Sequence, residues 1–347
     1  MAYSSIIKPT DYFNTKLYTG NGSTNAITGV GFQPDWVWIK DRGDTHDHNA
    51  YDAVRGVTKM ITPNENYAES TVAASLTSFD SDGFTLGNVA RSNASGGSLV
   101  SWNWKANGQG SSNTDGSINT TYTSANTTSG FSIIKYTGNS TSGATIGHGL
   151  GAVPKVFMCK KINSSGDSWR VYTAMTGNQS QLALDQTSAA DSGNTSMWNS
   201  TTPTSSLITL GNHTGVNGNT DTFICYAFAE KKGFSKFGSY TGNGSTDGPM
   251  IYTGFKPAFV IIKGSSNTEN WHMYDNKRDT GNPTDQALQP NTNSAEFTET
   301  NVLDFLSNGF KLRVTGGGHN GSGVSYIYMA FAEEPLVSSN GVPNTAR

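Results

Sequence analysis

The sequence predicts an all-β protein built from three tandem β-sandwich repeat domains. Two observations lead to this prediction: the chain is poor in the residues that build helices, and it repeats itself three times. Of its 347 residues 14% are charged and 40 are glycine, whereas an ordinary soluble domain carries about 25% charged residues. A chain that relies on Gly, Ser, Thr and Asn favours short strands joined by turns over long helices.

A phrase that begins Tyr-Thr-Gly-Asn occurs three times, at residues 18–24, 136–141 and 240–246. Each copy is followed by a proline-bounded apolar strand that ends in lysine, and each repeat closes with an aromatic strand. The proline-bounded strands are residues 33–40, 153–160 and 256–263, and the closing strands are residues 99–105, 223–230 and 326–333. Self-similarity at this period indicates a modular architecture rather than a domain with a single catalytic site.

The repeats define the domain boundaries. In chain order these are an N-terminal arm at 1–10, the first repeat at 11–106, a linker at 107–129, the second repeat at 130–232, the third repeat at 233–335 and a C-terminal tail at 336–347. The linker is rich in Gly, Ser, Asn and Thr, which is typical of a flexible connection, with an edge strand near 117–123. Because the second and third repeats are joined directly, they are expected to pack more rigidly together than the first and second.

Residue patterns within each repeat predict short strands and tight turns. The proline-bounded strand is apolar on both faces, which predicts a central strand covered by two layers. One face carries Val37, Phe157 and Val260, and the other carries Trp36, Val156 and Phe259. The dipeptides Asp82-Gly83 and Asn308-Gly309 predict hairpins with type I′ turns.

Charge and hydropathy disfavour several classes of partner. The net charge is −3 and no basic run is present, so neither a nucleic acid nor an anionic membrane surface is expected as a partner. No apolar run approaches the roughly 18 residues that a membrane-spanning helix needs. The start of the chain lacks an apolar run of signal-peptide length. For the two cysteines, Cys159 and Cys225, the favoured interpretation is buried free thiols and the alternative is a single disulfide between them.

The densest cluster of ligand-type side chains is Asp44-Thr-His-Asp-His48. His46 and His48 stand two apart and could share a metal ion on an extended segment, which makes them weak metal candidates. The favoured interpretation is an exposed polar loop, and no metal or cofactor is predicted. The remaining histidines are spread singly along the chain, which is typical of solvated or hydrogen-bonded side chains.

A Tyr-Asp-x-x-Arg motif is present in two repeats but not in the second, which keeps only Tyr172. The two copies are Tyr51, Asp52 and Arg55, and Tyr274, Asp275 and Arg278. The favoured interpretation is a local Asp–Arg pair that fixes a loop. The alternative is a surface patch that recognises a glycan or a neighbouring subunit, joined by tryptophans outside the clearest strands, of which Trp169 and Trp271 are the leading candidates.

The sequence shows no catalytic motif. It contains no Gly-x-Ser-x-Gly and no Cys/His pair in a catalytic setting, so no catalytic residue is predicted and the chain is expected not to be an enzyme. A pair of carboxylates that cleaves glycans could be brought together only by the fold. A glycan depolymerase therefore stays open as a second alternative.

Several segments resemble an uncharacterised tandem repeat family that is frequent in predicted virion structural proteins of tailed bacteriophages, especially aquatic ones. These segments are residues 147–154, 233–245, 252–259, 303–312 and 326–333, and the likeness extends from about Phe13 to Glu333. The resemblance implies a lectin-like or jelly-roll β-sandwich, in a virion or an extracellular assembly. It supplies no catalytic residues. The lack of a recognisable signal peptide agrees with assembly in a host cytoplasm.

Taken together, the sequence favours a structural protein that self-assembles into a virion surface component, an appendage or a fibre. Its expected partners are further copies of itself and other virion proteins. Ile6 and Ile7 lie in the N-terminal arm, outside any repeat, which predicts that this arm pairs with a neighbouring chain. The alternative function is a carbohydrate-binding, receptor-recognition protein such as part of a tail fibre, with host surface glycans as its ligands.

Overall fold

The computed structural model describes residue 4, residues 6–337 and residues 341–345. Its regular structure is almost entirely β, which confirms the predicted class. The helices are short: a 3-10 turn at Pro9–Asp11 and the α-helices α1 Ala90–Asn93, α2 Thr195–Trp198 and α3 Thr214–Asn217. Among the residues that the structure describes, none of these helices is long and apolar enough to cross a bilayer.

The strands fall into three groups along the chain, and we refer to residues 11–106, 130–232 and 233–335 as the first, second and third units. The first unit contains β1 Phe13–Thr19, β2 Asn25–Thr28, β3 Trp36–Asp41, β4 Asn49–Asp52, β5 Lys59–Met60, β6 Ser70–Thr71, β7 Leu76–Asp80, β8 Gly83–Leu86 and β9 Ser98–Trp104. β10 Tyr122–Asn126 precedes the second unit, which contains β11 Phe131–Thr137, β12 Ala144–Gly147, β13 Pro154–Lys161, β14 Arg170–Thr173, β15 Ser180–Ala183, β16 Asp191–Ser192, β17 Leu207–Leu210 and β18 Thr222–Ala229. The third unit contains β19 Ser235–Thr241, β20 Met250–Tyr252, β21 Phe255–Gly264, β22 Trp271–Asp275, β23 Thr284–Ala287, β24 Phe297–Leu306, β25 Gly309–Leu312 and β26 Ser325–Pro335.

Each unit has one large antiparallel sheet, and the order of its four main strands is the same in all three. The orders are β1-β9-β3-β4, β11-β18-β13-β14 and β19-β26-β21-β22. The registers agree as well: Trp36 lies opposite Trp104, Val156 opposite Phe228, and Phe259 opposite Phe331. Positions in the three sheets can therefore be matched one to one, and we call matched positions equivalent.

One face of each large sheet is covered by a smaller sheet of the same unit. The smaller sheets are β2-β8-β7, β12-β17 and β20-β25-β24-β23. In the first unit Val37 and Ile39 of the large sheet share a buried cluster with Phe84 of the small one, and the other two units have matching clusters. Cys159 and Cys225 lie in the cluster of the second unit as free buried thiols, as expected.

The opposite faces of the three large sheets meet in one apolar cluster, which we call the shared core. Its centre is built from Trp36, Trp38 and Trp104, from Met158, Tyr226 and Phe228, and from Phe259, Ile261 and Phe331. Trp36 stacks on Tyr226 with ring centroids 4.5 Å apart, and Phe331 lies 5.7 Å from Trp104 and 5.9 Å from Phe228. The central strand is thus covered twice, as its pattern predicts, and the second cover is supplied by the neighbouring units.

The segment at 107–129 packs against the second unit. β10 adds to the edge of that unit's sheet beside β11, and Ile118 is buried in its cluster and bridged to Ile146. The first and second units are in direct contact, through the stacked rings of Trp36 and Tyr226. The edge strand does form, but at Tyr122–Asn126.

The repeated Tyr-Thr-Gly-Asn phrase is a turn held by a buried asparagine from later in each unit. The backbone N–H groups of Asn21, Asn139 and Asn243 donate to the side-chain oxygens of Asn93, Asn217 and Asn320, at 2.8–3.0 Å. The glycine before each turn is required by close approach: a Cβ on Gly20 would lie 2.0 Å from the carbonyl oxygen of Ala94. The phrase is therefore scaffold.

The two predicted hairpins exist, but their turns are not type I′. Asp80 pairs with Gly83 and Leu306 with Gly309, so each glycine begins a strand and does not occupy the centre of the turn. Glycine is needed there because a Cβ on Gly83 would lie 1.9 Å from the carbonyl oxygen of Ile27 on the adjacent strand. The dipeptides correctly predict both hairpins, but each turn lies one residue earlier in the chain than predicted.

Candidate functional site

The two Tyr-Asp-x-x-Arg motifs are buried, so the predicted surface recognition patch is wrong for all six of their residues. Tyr51, Asp52, Tyr274 and Asp275 have no exposed surface, and Arg55 and Arg278 have fully covered side chains. Their burial follows from their place at the ends of β4 and β22, which pair with the central strands β3 and β21. The local Asp–Arg pair is confirmed: guanidinium Nε lies 2.5 Å from the carboxylate Oδ2 in both.

Each buried carboxylate also accepts a hydrogen bond from a different unit. The hydroxyl of Tyr226 in the second unit donates to Asp52 Oδ2 at 2.6 Å. The indole N–H of Trp102 in the first unit donates to Asp275 Oδ2 at 3.0 Å. A buried carboxylate satisfied by both a guanidinium and a neutral donor is well compensated for the loss of water. The motif therefore joins neighbouring units.

The interface between the second and third units has neither the acidic acceptor nor its donor at the equivalent positions. The position equivalent to Asp52 and Asp275 is Thr173, which lies opposite Val156. The position equivalent to Trp102 and Tyr226 is Met329, which has no N–H or O–H to donate. The acidic acceptor and its donor are therefore both absent from this interface.

A ring N–H from each unit donates to a backbone carbonyl of the neighbouring unit. Trp169 donates to Thr62 at 3.1 Å, Trp271 donates to Ala183 at 2.9 Å, and His48 Nε2 contacts the carbonyl oxygen of Gln289 at 3.1 Å. Trp169 and Trp271, predicted as glycan contacts, are buried and hold units together. All seven tryptophans of the chain are buried, so none can stack on a glycan at the surface.

His46 and His48 do not form a metal pair in this structure. His48 is buried, its Nδ1 accepts a hydrogen bond from the Trp38 indole at 2.9 Å, and its Nε2 is used at the interface with Gln289. Burial lowers the pKa of His48 well below its usual value. His46 points elsewhere, with its Nδ1 3.3 Å from Asp41. The neutral imidazole of His48 is a structural link between units.

Backbone hydrogen bonds close the three units into a ring. The N–H of Glu69 in the first unit donates to Ile162 of the second at 2.9 Å, and the N–H of Ala190 in the second donates to Ser265 of the third at 2.9 Å. The N–H of Glu296 in the third unit donates to Arg42 of the first at 2.8 Å. Each unit therefore donates to the next, and the third donates back to the first.

The lysines that end the proline-bounded strands are buried at equivalent positions. Lys40, Lys160 and Lys263 have no exposed surface. Their ammonium groups donate to backbone carbonyls: Lys40 to Asp41 and Asp44, Lys160 to Asp167, and Lys263 to Gly264 and Thr187. Burial lowers the pKa of each lysine to about 8. The sequence marks these lysines as strand ends but does not predict that they are buried.

The N-terminal arm packs in part on its own chain. Ile6 is buried in the shared core, whereas Ile7 is 66% exposed. The expectation that neither isoleucine has a place to pack is therefore wrong for Ile6. A cavity of about 530 Å³ lies between the arm and the end of the third unit, lined by residues 7–10, 333–335 and 342–344 among others. Residues 1–3 and 5 of the arm and residues 338–340 and 346–347 of the tail lie outside the described residues.

Two histidines that look isolated in the sequence converge in the third unit. His272 lies on β22, His319 on the loop before β26, and Glu299 on β24, and their ligand atoms lie within 4.8 Å of one another. Glu299 Oε2 is 3.4 Å from His319 Nε2, and Oε1 is 3.9 Å from His272 Nε2. The hydroxyl of Tyr274 donates to Glu299 and lies 2.7 Å from His319 Nε2. We call these four residues the histidine cluster.

Burial favours the uncharged form of both histidines in the histidine cluster. Burial lowers the pKa of His272 to about 4, with a further contribution from the charge of Lys263. Burial also lowers the pKa of His319 and raises that of Glu299. Both histidines are 3% exposed and the Glu299 side chain is 28% exposed, so the carboxylate is the face of the cluster that meets solvent.

A surface groove of about 650 Å³ lies between the second and third units. Its lining includes Lys155, Glu230, Lys236 and Tyr252. Tyr252 is 58% exposed and is among the most exposed aromatic side chains of the described residues.

Comparison with known proteins gives a family. The chain belongs to the family described as Domain of unknown function (DUF7483). Its model matches residues 8–335, and so runs through all three units as a single domain. Neither a curated protein nor a solved structure matches the chain.

Proposed function

We propose that this chain is a non-enzymatic structural protein whose copies assemble into a larger particle: a virion surface component, an appendage or a fibre. The observation that supports this most is the closed ring of backbone hydrogen bonds between the units around a shared core. Interlocked units of this kind make a rigid block, which suits a subunit that bears load in an assembly. The virion context is supported by the resemblance of the sequence to phage structural repeats.

We propose further that the three units are copies of one β-sandwich repeat. The common strand order supports this, as do the common register and the buried asparagines Asn93, Asn217 and Asn320, which hold the same turn in each unit. Because each unit buries one face of its large sheet against the other two, the natural folding unit is the whole ring. A single family model that spans residues 8–335 agrees with this.

The proposed partner is a second copy of the chain, held at the side where both terminal segments lie. Ile7 and Val342 line the cavity of about 530 Å³ and are 66% and 62% exposed. They are among the most exposed large apolar side chains of the described residues, and burying such groups favours association. Because Ile6 belongs to the core, contact through Ile7 leaves the fold of the subunit intact.

The test is the mass and appearance of the purified full chain over a wide concentration range, by light scattering after gel filtration and by negative-stain images. We expect oligomers or filaments for the natural chain, and a shift to monomers for Ile7→Asp and Val342→Asp. Val57→Asp is the matched control, because Val57 is also an exposed valine, at 38%, but lies in the first unit away from both terminal segments in sequence. A natural chain that stays monomeric at every concentration would overturn the proposal.

A second candidate function is glycan binding at the groove of about 650 Å³. The observation that favours it is Tyr252, an exposed ring beside charged side chains, which is the pairing that a sugar uses for stacking and hydrogen bonding. Glycan-array binding that is lost in Tyr252→Ala and kept in Tyr67→Ala would support it, since Tyr67 is similarly exposed at 51%. An array without signal would exclude it.

A further inference from the structure

We propose that the histidine cluster of the third unit binds one divalent first-row metal ion, with Zn²⁺ as the best match, through His272, Glu299 and His319. This inference is independent of the proposed assembly role. Two imidazoles and a carboxylate are a ligand set that zinc and similar ions take. The three ligand atoms lie within 4.8 Å of one another and come from two strands and a loop.

The distances suit an ion without large movement. Zinc bonds of about 2.0–2.1 Å at tetrahedral angles place neighbouring ligand atoms roughly 3.3 Å apart. Glu299 is already 3.4 Å from His319 Nε2 and 3.9 Å from His272 Nε2. Because all three ligand atoms lie within 4.8 Å of one another, an ion between them would draw any two together by no more than about 1.5 Å. It would replace two contacts of the ligand nitrogens: the one of 3.2 Å between His272 Nε2 and the Gln289 side-chain nitrogen, and the one of 2.7 Å between His319 Nε2 and the Tyr274 hydroxyl.

The surroundings hold the ligands in place and leave a path for entry. The carbonyl oxygen of His319 accepts a hydrogen bond from Tyr240 at 2.7 Å, which fixes the loop. Gly318 lies so close to the ring of His272 that a Cβ there would be 3.0 Å from Cε1. Tyr274 donates to Glu299 and orients its carboxylate, a supporting role that is common around bound metals. The partly exposed carboxylate opens the cluster to solvent.

The other two units lack these histidines at equivalent positions. His272 lies opposite Ile262, where the first unit has Asn49 opposite Ile39 and the second has Arg170 opposite Cys159. His319 supplies the carbonyl that accepts from Tyr240, and the matching carbonyls belong to Ser92 and Val216. The scaffold therefore forms without either histidine, so their convergence in one unit calls for a reason other than folding.

The test is metal binding by the full chain after dialysis against a chelator. We expect calorimetry to show uptake of one equivalent of Zn²⁺, and added Co²⁺ to give the visible absorption of a tetrahedral site. His272→Asn and His319→Ser introduce the residues of the first unit, and each should weaken Zn²⁺ binding by at least about tenfold. His46→Asn is the control with a half-exposed histidine outside the cluster and should bind as the natural chain does.

Thermal melts of the metal-free variants separate loss of binding from loss of folding. A variant that melts near the natural chain and no longer takes up Zn²⁺ supports the site. No uptake by the natural chain would overturn the proposal, as would equal affinity in the natural chain and both folded cluster variants.

Discussion

The three interfaces between the units are of two kinds, with and without a buried Asp–Arg pair. Where the first unit meets the second, and where the third meets the first, a buried Asp–Arg pair accepts a hydrogen bond from Tyr226 or Trp102. Where the second unit meets the third, Thr173 and Met329 take the equivalent places. The ring closes at all three, so the charged network is not needed to join two units. At each interface the buried carboxylate and the Tyr or Trp that donates to it are either both present or both absent.

The largest effect is expected from removing one carboxylate. Asp52→Ala or Asp275→Ala leaves a fully buried guanidinium without its closest partner and should lower the free energy of unfolding by about 3–5 kcal/mol. Thr173→Ala, at the interface that lacks the acidic pair, removes only the acceptor of the Met175 N–H and should cost about 1 kcal/mol. Urea unfolding measures both. Equal losses at the two kinds of interface would contradict the comparison.

Removing the neutral donor should have a smaller effect, because the ion pair stays. Tyr226→Phe leaves Asp52 bonded to Arg55 but without the hydroxyl at 2.6 Å, and we expect a loss of about 1–3 kcal/mol in the same unfolding experiment. Adding the donor-type residue alone to the interface that lacks the acidic pair, in Met329→Tyr, should also destabilise, since its hydroxyl finds no carboxylate there. A stabilising Met329→Tyr would show that the two partners do not need to be matched.

The buried lysines extend the comparison to pH: Lys263 donates to Thr187 across the interface between the second and third units, and Lys40 and Lys160 lie at the equivalent positions. The pKa of Lys40, Lys160 and Lys263 is about 8 in the folded chain, below the value of about 10.4 in an unfolded chain. Between these values the unfolded chain binds more protons, so stability rises with pH from about 8 to 10 and falls as the pH drops through 8. We expect a gain of at least about 1 kcal/mol. Unfolding at a series of pH values tests this, and Lys263→Met should reduce the slope.

The smallest effect concerns an ion pair between the first and third units. Arg42 in the first unit pairs with Glu296 of the third at 2.5 Å, and its side chain is 23% exposed. The equivalent backbone positions in the other units are Ile162 and Ser265. Arg42→Ser should cost less than about 1 kcal/mol and the cost should shrink in high salt. A loss above 2 kcal/mol would mean that this pair is a main link of the ring.

Much of the secondary structure and local pairing could be predicted from the sequence. Apolar residues on both faces of the central strands predict burial on both sides, and the spacing of Asp52 and Arg55 predicts their ion pair. Strand periodicity reports that a face is buried but not what buries it. For that reason the sequence did not reveal the shared core, and Trp169 and Trp271, which lie in it, were interpreted as surface contacts.

The histidine cluster was missed for a related reason. His272 and His319 belong to segments far apart in sequence, and only the pairing of β22 with β21 and β21 with β26 brings them together. A comparison of the copies position by position could have found them, because the equivalent residues Asn49, Arg170, Ser92 and Val216 include no histidine. His46 and His48 are metal candidates in the sequence because they stand two residues apart. In the structure both ring nitrogens of His48 are already engaged, with Trp38 and Gln289.

The cavity lined by both terminal segments has a consequence for the topology of the chain. The beginning and end of the family match, residues 8 and 335, line the same cavity of about 530 Å³, and the third unit bonds back to the first through Glu296 and Arg42. The two ends of the matched region therefore lie at the same cavity, and one added covalent link between them would close the backbone into a circle. A circular permutant that joins these two ends and opens at an exposed loop keeps the residues whose hydrogen bonds link the units. Which unit comes first is then decided by where the backbone is cut.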